Sequence, residues 1–504
     1  MRVAPSFKNR FPTFIYPFLF TTFSVVFYFS YDLHKTILVF AQALLYSLLL
    51  CLAIGTSFKL LFRDTAKASF ATFIAVFAFF SYGHVHDYLI HVFAGHPPPV
   101  HHALGYAFMA VMVLCCAALF YVRSLPASFT LFLTASLSCM LFFSVLTAIK
   151  HTVDDKNGTA FNPIALTQLS TAEPKPDIYY IVFDDYAGNA ALKNVYGFDN
   201  GSFLEQLRAR GFYVADASSS NYNGSLHSLT SSLNMNYLDT LARSKPASES
   251  ATSFYQKTIE SNQVIQDLKN IGYHYYQLGS WFQYTRYNNN ADSNMTPDSK
   301  PSFFPPYLSL FFLDTTLFQI IEGTFFPAIH KQYATYELDQ TPKIASNGLS
   351  PKIVFSHILV PHGPIIYKGN CSDGDSGYLE QLKCSNQKIL NLIDDIQRQS
   401  PTPPVIVLQS DEGPDDNSSR ESSGNWSSIA IQEKFPILSA YYFPTKNYAG
   451  LYKGITPVNS FRVVFNTFLG GHLPLLPDKN YVLPDYTQIN DPTDITLKVQ
   501  ALTP

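Results

Sequence analysis

Over the first 150 residues the apolar positions run on with little interruption, whereas beyond residue 176 they fall into short blocks divided by polar and amphipathic stretches. Five early segments, at 11–31, 37–62, 68–93, 103–122 and 127–149, have the length and apolarity of membrane spans. A crossing of a ~30 Å hydrocarbon core takes roughly 20 such residues. Short links between them argue against buried core helices. Arg2, Lys8 and Arg10 precede the first segment, Lys59, Arg63 and Lys67 join the second to the third, and Arg123 joins the fourth to the fifth. The alternate loops carry only Lys35, so the positive-inside rule puts the N-terminus in the cytoplasm and everything after the fifth span outside. The first span lacks a small-residue cleavage site and reads as an anchor, not a removed signal peptide.

The chain therefore divides into a five-helix transmembrane domain (1–150), a polar, Pro-bounded linker (151–176) and an outer domain (177–504). In the outer domain β-rich runs at 177–183, 273–280, 352–360 and 404–410 alternate with helical periodicity at 203–211, 258–272 and 378–399. That order predicts an α/β sandwich, a mainly parallel sheet with helices on both faces. Runs apolar on both alternations imply strands buried on both sides.

Composition adds little to this picture, but it excludes one class. A net charge of −3 gives no electrostatic footprint for nucleic acid. Cys51, Cys115, Cys116 and Cys139 fall in the spans, where cysteine behaves as a small hydrophobe. Cys371 and Cys384 fall in the outer domain, where an oxidising compartment permits a disulfide; spacing leaves open whether they pair.

The chemistry gathers at strand ends. In a parallel sheet ligands bind beyond the carboxyl ends of the strands. Here DIYYIVF runs into Asp184 and Asp185, KIVFSHILV into Pro361 and His362, and PVIVLQS into Asp411 and Glu412. One strand-end aspartate is usually a turn former or helix cap, but three such ends together point to a metal site. A turn at Asn221–Gly224 leads into a helix starting near Ser225, where a hydroxyl meets free N–H groups and the positive helix end. On this evidence alone Ser225 reads first as a cap. In the third span His84, Asp87 and His91 share one face near its outer end, an ionisable cluster suited to a lipid headgroup or a docking contact.

The order of these features, carried by PDIYYIVFDDY, NYNGSLHSLTSSLNM, HILVPHGP, VIVLQSDEGP, KFPILSAYYFP and TPVNSFRVVFNTFLGGHLPLLPD, resembles the alkaline phosphatase/sulfatase superfamily. With five spans ahead of it, the chain is similar to the lipoteichoic acid synthase and phosphoglycerol transferase group. The resemblance implies an alkaline phosphatase-like outer domain and a covalent phospho-enzyme. It implies Asp184 and Asp411 as metal ligands, Ser225 as nucleophile, and His362 against the substrate phosphate or leaving group. His357 would support His362 on the substrate side, and Arg286 would hold phosphate, ahead of Arg420 and Arg462; His472 is a weaker candidate ligand. Asp185 stands where relatives commonly have Gly, as a charge-tuning neighbour or a further ligand. Glu412 stands where the group has His. The resulting oxygen set of Asp184, Ser225, Asp411 and Glu412 favours Mn²⁺ or Mg²⁺ and admits Ca²⁺ or Zn²⁺. Formylglycine chemistry is not expected, because neither Pro nor Arg follows Ser225 in the sulfatase spacing. The implied reaction moves a phosphoglycerol- or phosphoethanolamine-type headgroup from a membrane phospholipid to a glycan or other envelope acceptor. The alternatives are a phosphoester hydrolase and, because of Glu412, a non-catalytic envelope binding module.

Overall fold

The computed structural model describes residues 14–30, 36–92, 100–156, 169, 175–245, 249–299, 302–415, 426–484, 489 and 491–502. They form two compact units, one of residues 1–158 with Pro301–Phe326, the other of Thr159–Lys300 with Pro327–Pro504.

The first unit begins with five apolar helices, α1 (Ile15–Phe29), α2 (Ile37–Phe62), α3 (Thr65–Val92), α4 (Val100–Tyr121) and α5 (Ala127–Lys156). The last four are long and apolar enough to cross a membrane, while α1 is a shorter apolar helix of 15 residues. Side chains such as Leu38, Leu60 and Leu114 stay exposed, as expected of helices that face lipid, whereas α3 is the most enclosed of the four long helices. The fifth helix continues to Lys156, past the expected start of the linker, most of which lies outside the described residues.

The same unit takes in a segment that the sequence pattern leaves within the outer domain. The helix Pro306–Thr315 and the short 3₁₀ turn Leu317–Ile321 pack on the bundle, with Phe311 against Tyr28 and Phe29 and Phe318 against Phe79. A ten-residue apolar helix reads equally well as a core helix, so its sequence does not reveal this placement.

The second unit is built on a seven-stranded sheet: β1 (Ile178–Phe183), β2 (Tyr213–Val214), β3 (His274–Leu278), β4 (Ser293–Met295), β5 (Lys352–Ile358), β6 (Val405–Gln409) and β7 (Ser439–Tyr442). Their order is β2-β7-β6-β1-β5-β3-β4. The five strands β6, β1, β5, β3 and β4 run parallel, and β7 and β2 close one edge antiparallel. The α/β sandwich expected from the strand pattern is present. Strand β1 is buried along its whole length: Ile178, Tyr180 and Val182 face one core, and Tyr179, Ile181 and Phe183 face the other. The first core is covered by helices Ser225–Asn234, Ala251–Glu260, Gln263–Asn270 and Pro457–Phe468, the second by Gly201–Ala209 and Tyr378–Gln399. The helix expected over 258–272 is two helices, because Ile265 N donates to the Asn262 side-chain Oδ1 (2.9 Å), which caps the start of the second. Cys371 and Cys384 are joined, which decides the pairing that spacing left open.

Candidate metal centre and nucleophile

The three strands whose ends carry acidic or histidine residues are neighbours at the middle of the sheet, β6-β1-β5, and parallel. Their carboxyl ends therefore open at one edge. Asp184 follows β1, and its N–H donates to Ile358 O of β5 at 3.0 Å. Asp411 and Glu412 follow β6 on a tight turn, where Ser410 Oγ donates to Glu412 O (2.6 Å) and Tyr186 N donates to Ser410 Oγ (2.9 Å). Asp184, Asp411 and Glu412 are all buried.

Ser225 is the first residue of helix Ser225–Asn234, behind an extended Gly224. Its hydroxyl lies 3.1 Å from Glu412 Oε1 and 3.4 Å from Asp184 Oδ1. The structure thus brings Asp184, Ser225, Asp411 and Glu412 together.

His357 also belongs to this gathering. It sits inside β5, opposite Val182, and is fully buried. Its Nε2 lies 3.4 Å from Asp411 Oδ2 and 4.0 Å from Asp184 Oδ2. Its Nδ1 lies 3.2 Å from Thr285 Oγ1, which in turn lies 2.7 Å from Ser280 Oγ. A hydrogen on Nδ1, donated to Thr285, leaves the Nε2 lone pair for a cation; second partners of this kind fix the tautomer of metal-bound histidines. The residue therefore faces the carboxylates instead of serving only as a support for His362.

His362 lies at the rim of the site, about a third exposed. Its N–H donates to Asp184 O (3.2 Å), and its Nε2 is 3.8 Å from Asp185 Oδ2. Asp185 has a left-handed backbone (φ 58°), a conformation that suits the Gly expected at this position.

One participant escaped the sequence reading. Lys434 ends the short helix Ser428–Lys434 and is 2% exposed. Its Nζ lies 3.3 Å from Glu412 Oε1, 3.6 Å from Asp185 Oδ1 and 3.4 Å from Asp415 Oδ1. The signal was the stretch KFPILSAYYFP itself, in which a lysine directly precedes a buried apolar run.

Electrostatics follow from this crowding. Burial, and then repulsion from Asp411, Asp185 and Glu412, pushes the Asp184 carboxyl well above its ordinary range. Burial carries Glu412 up to about 8 against the opposing pull of Lys434, with Asp185 and Asp411 adding to the rise. Asp411 moves the other way: its burial is outweighed by His357, whose Nε2 lies 3.4 Å from Oδ2, with help from Ser225 and Asp184. Such a cluster calls for a cation. Two overlapping sets, Asp184–His357–Asp411 and Asp184–Asp185–Glu412, bring ligand atoms within 4.8 Å of one another. His357 Nε2, Asp411 Oδ2 and Glu412 Oε2 are buried without a hydrogen bond among the described residues, as metal-facing atoms would be. The residues fit a divalent ion.

The remaining candidates make other contacts. Arg286 is buried and donates to Trp281 O. Arg462 clamps Met235 O (2.6 and 3.0 Å) and Pro474 O (2.7 Å), a structural position. His472 is exposed, and Arg420 lies outside the described residues. In the first unit Asp87 accepts from Gln319 Nε2 (3.0 Å) and lies 3.2 Å from His86 Nδ1, so the polar contact runs through His86 and not through the expected His84. The side chain of His91 lies outside the described residues.

No protein-family model and no curated protein matches the chain. Among solved structures it is similar to the C-terminal periplasmic domain of EcEptC from Escherichia coli in complex with Zn, at 10% identity and TM-score 0.44 over 66% of this chain and 96% of that one. It is similar to the C-terminal periplasmic domain of phosphoethanolamine transferase EptC from Campylobacter jejuni, at 14% identity and TM-score 0.37 over 60% and 92%. A 2-O GAG sulfatase gives 10% identity and TM-score 0.38 over 61% of this chain and 77% of its own. Likeness at this level assigns no residue a role.

Proposed function

We propose that this is a membrane-anchored, metal-dependent transferase. It moves a phospho-headgroup of the phosphoglycerol or phosphoethanolamine type from a membrane phospholipid to an acceptor hydroxyl on a glycan or other envelope component. On this reading the N-terminus is cytoplasmic and the α/β unit extracytoplasmic. The observation that carries it is the Ser225 hydroxyl, held at a helix N-terminus 3.1 and 3.4 Å from carboxylates at two different strand ends. A divalent ion on Asp184, His357 and Asp411 would lower the barrier to ionising Ser225 and draw charge from the phosphoryl oxygens. His357 adds a nitrogen to a set expected to be all oxygen, which suits Zn²⁺ or Mn²⁺ as well as Mg²⁺.

In the first half-reaction Ser225 Oγ forms a bond to phosphorus, and the bond from phosphorus to the glyceride oxygen breaks. The Oγ proton passes to Glu412 Oε1. The departing glyceride oxygen takes a proton from His362, whose exposed edge can face a substrate. In the second half the acceptor hydroxyl gives its proton to His362 and bonds to phosphorus. The Oγ–P bond then breaks, and Ser225 regains its proton from Glu412. With water as acceptor the same steps yield a free phospho-alcohol.

The test is Ser225→Ala. It should lower turnover of a labelled phospholipid by roughly a thousandfold or more while divalent-ion binding persists. Mass spectrometry of the parent protein should find the headgroup phosphate on Ser225. Full turnover by the variant would remove Ser225 as nucleophile.

A further inference from the structure

The segment Pro301–Phe326 leaves and rejoins the chain between β4 and β5, two strands of one sheet. Both ends therefore lie on the same side of any membrane, and the segment must cross it an even number of times. The helix Pro306–Thr315 has ten residues, about 15 Å, half of what a ~30 Å core demands. It is too short to cross once, let alone twice.

Its partners in the first unit all lie toward one end of the bundle. Gln42 Nε2 donates to Ser302 O (2.8 Å) and Tyr46 OH to Phe303 O (3.0 Å), both from the opening turns of α2. Tyr28 OH, at the closing turn of α1, donates to Asp314 Oδ2 (3.2 Å). Gly83, in the second half of α3, meets the break between helix and 3₁₀ turn so closely that a Cβ there would fall 2.1 Å from Asp314 O. Gly105, near the start of α4, would place a Cβ 2.4 Å from Ile320 Cδ1. Because the helices alternate in direction, these positions share one end. Tyr46 lies nine residues into α2, about 14 Å of rise, so the contacts reach about one leaflet deep.

The sequence and local bonding suit that depth. From Ser302 to Ile321 the one charged residue is Asp314, which accepts from Tyr28. At the 103° bend, Thr315 Oγ1 donates to Phe311 O (2.7 Å) and Thr316 Oγ1 to Phe312 O (2.5 Å), while Phe318 N donates to Thr316 Oγ1 (3.1 Å). Side chains thus meet backbone groups at the break, as irregular backbone in a bilayer requires. Meanwhile Phe303, Phe304, Phe318 and Phe325 stay exposed, Phe303 with 83% of its surface open, although Phe304 also touches Tyr46 and Phe318 touches Phe79.

We infer that Pro301–Phe326 is a re-entrant element that enters one leaflet from the side on which both its ends lie and presents its phenylalanines to lipid. Its partner is the lipid surface. This rests on the membrane reading of α1–α5 and is independent of the metal chemistry.

The test uses the full chain in phosphatidylcholine–phosphatidylglycerol vesicles, with Phe304→Trp and Phe325→Trp compared with Leu349→Trp, an exposed site in the α/β unit. Flotation with the vesicles checks the bundle; quenching checks the segment. Relative to the parent, which has two tryptophans, emission added by the first two variants should fall roughly twofold more than that of Leu349→Trp when the acyl chains are brominated. It should also resist aqueous acrylamide, whereas the Leu349→Trp emission should not. Floating protein whose Phe304→Trp and Phe325→Trp emission is quenched by acrylamide and unaffected by brominated lipid would overturn the inference.

Discussion

Glu412 holds its proton up to about 8 when no cation is bound, whereas an unfolded glutamate releases it near 4.5. Between those values the folded chain binds more protons than the unfolded one, so stability falls as pH rises. Asp184, also raised, acts in the same direction; Asp411 acts oppositely, but below its ordinary 3.8. In chelator, the melting temperature of the α/β unit should therefore drop from about pH 5 to about pH 8, and a saturating divalent ion should flatten or reverse that slope. A melting temperature that rises with pH in chelator would contradict this account. Lys434→Met makes a second test, since it strips the ammonium from Glu412, Asp185 and Asp415. Leaving buried carboxylates unpaired costs about 3–5 kcal/mol, read as a lower denaturant midpoint in metal-free protein. Lys434 was easy to pass over despite the buried apolar run it precedes, because a lysine closing a short helix usually ends in solvent. His357 was harder still: mid-strand, its role depends on register, which only the pairing with Val182 supplies. Asp184 and Asp411 stood out because apolar strand runs stop at them, whereas Ser225 stood out only through the resemblance, since a hydroxyl at a helix start reads first as a cap.

The long buried strands and the 378–399 helix could be read from apolar alternation and 3.6-residue periodicity. The break at Asn262 was not, since the apolar stripe continues across it and only the Asn262 side chain, bonded to Ile259 O and Ile265 N, marks it. Two-residue β2 is too short for any pattern to register. The disulfide belongs to this level too. Cys371–Cys384 ties the loop that follows His362 to the long helix Tyr378–Gln399, closing a span of 13 residues. Replacing both cysteines with serine should cost about 3 kcal/mol, seen as a lower denaturant midpoint, because the unfolded chain regains the freedom the bridge removes. Reduction of the parent protein should reproduce the shift.

For the molecule as a whole, the division into two units does not follow the order of the chain. A fragment starting at Lys175 would lack α1–α5 yet still carry Phe303, Phe304, Phe318 and Phe325. It should need detergent to stay monodisperse in size-exclusion chromatography, and replacing residues 302–321 with a Gly-Ser linker should relieve that need. A detergent-free, monodisperse parent fragment would count against membrane contact. The same threading constrains synthesis. The ribosome delivers α1–α5 first, then β1 through β4, and only then Pro301–Phe326. The bundle waits with one end unfilled while the first half of the α/β unit is made. Strand β1, meanwhile, lacks both neighbours, because β5 and β6 emerge after the segment has arrived. On the proposed reading, the segment is therefore made before the strands that complete the sheet around β1, so it can meet the bilayer before the candidate metal centre is assembled.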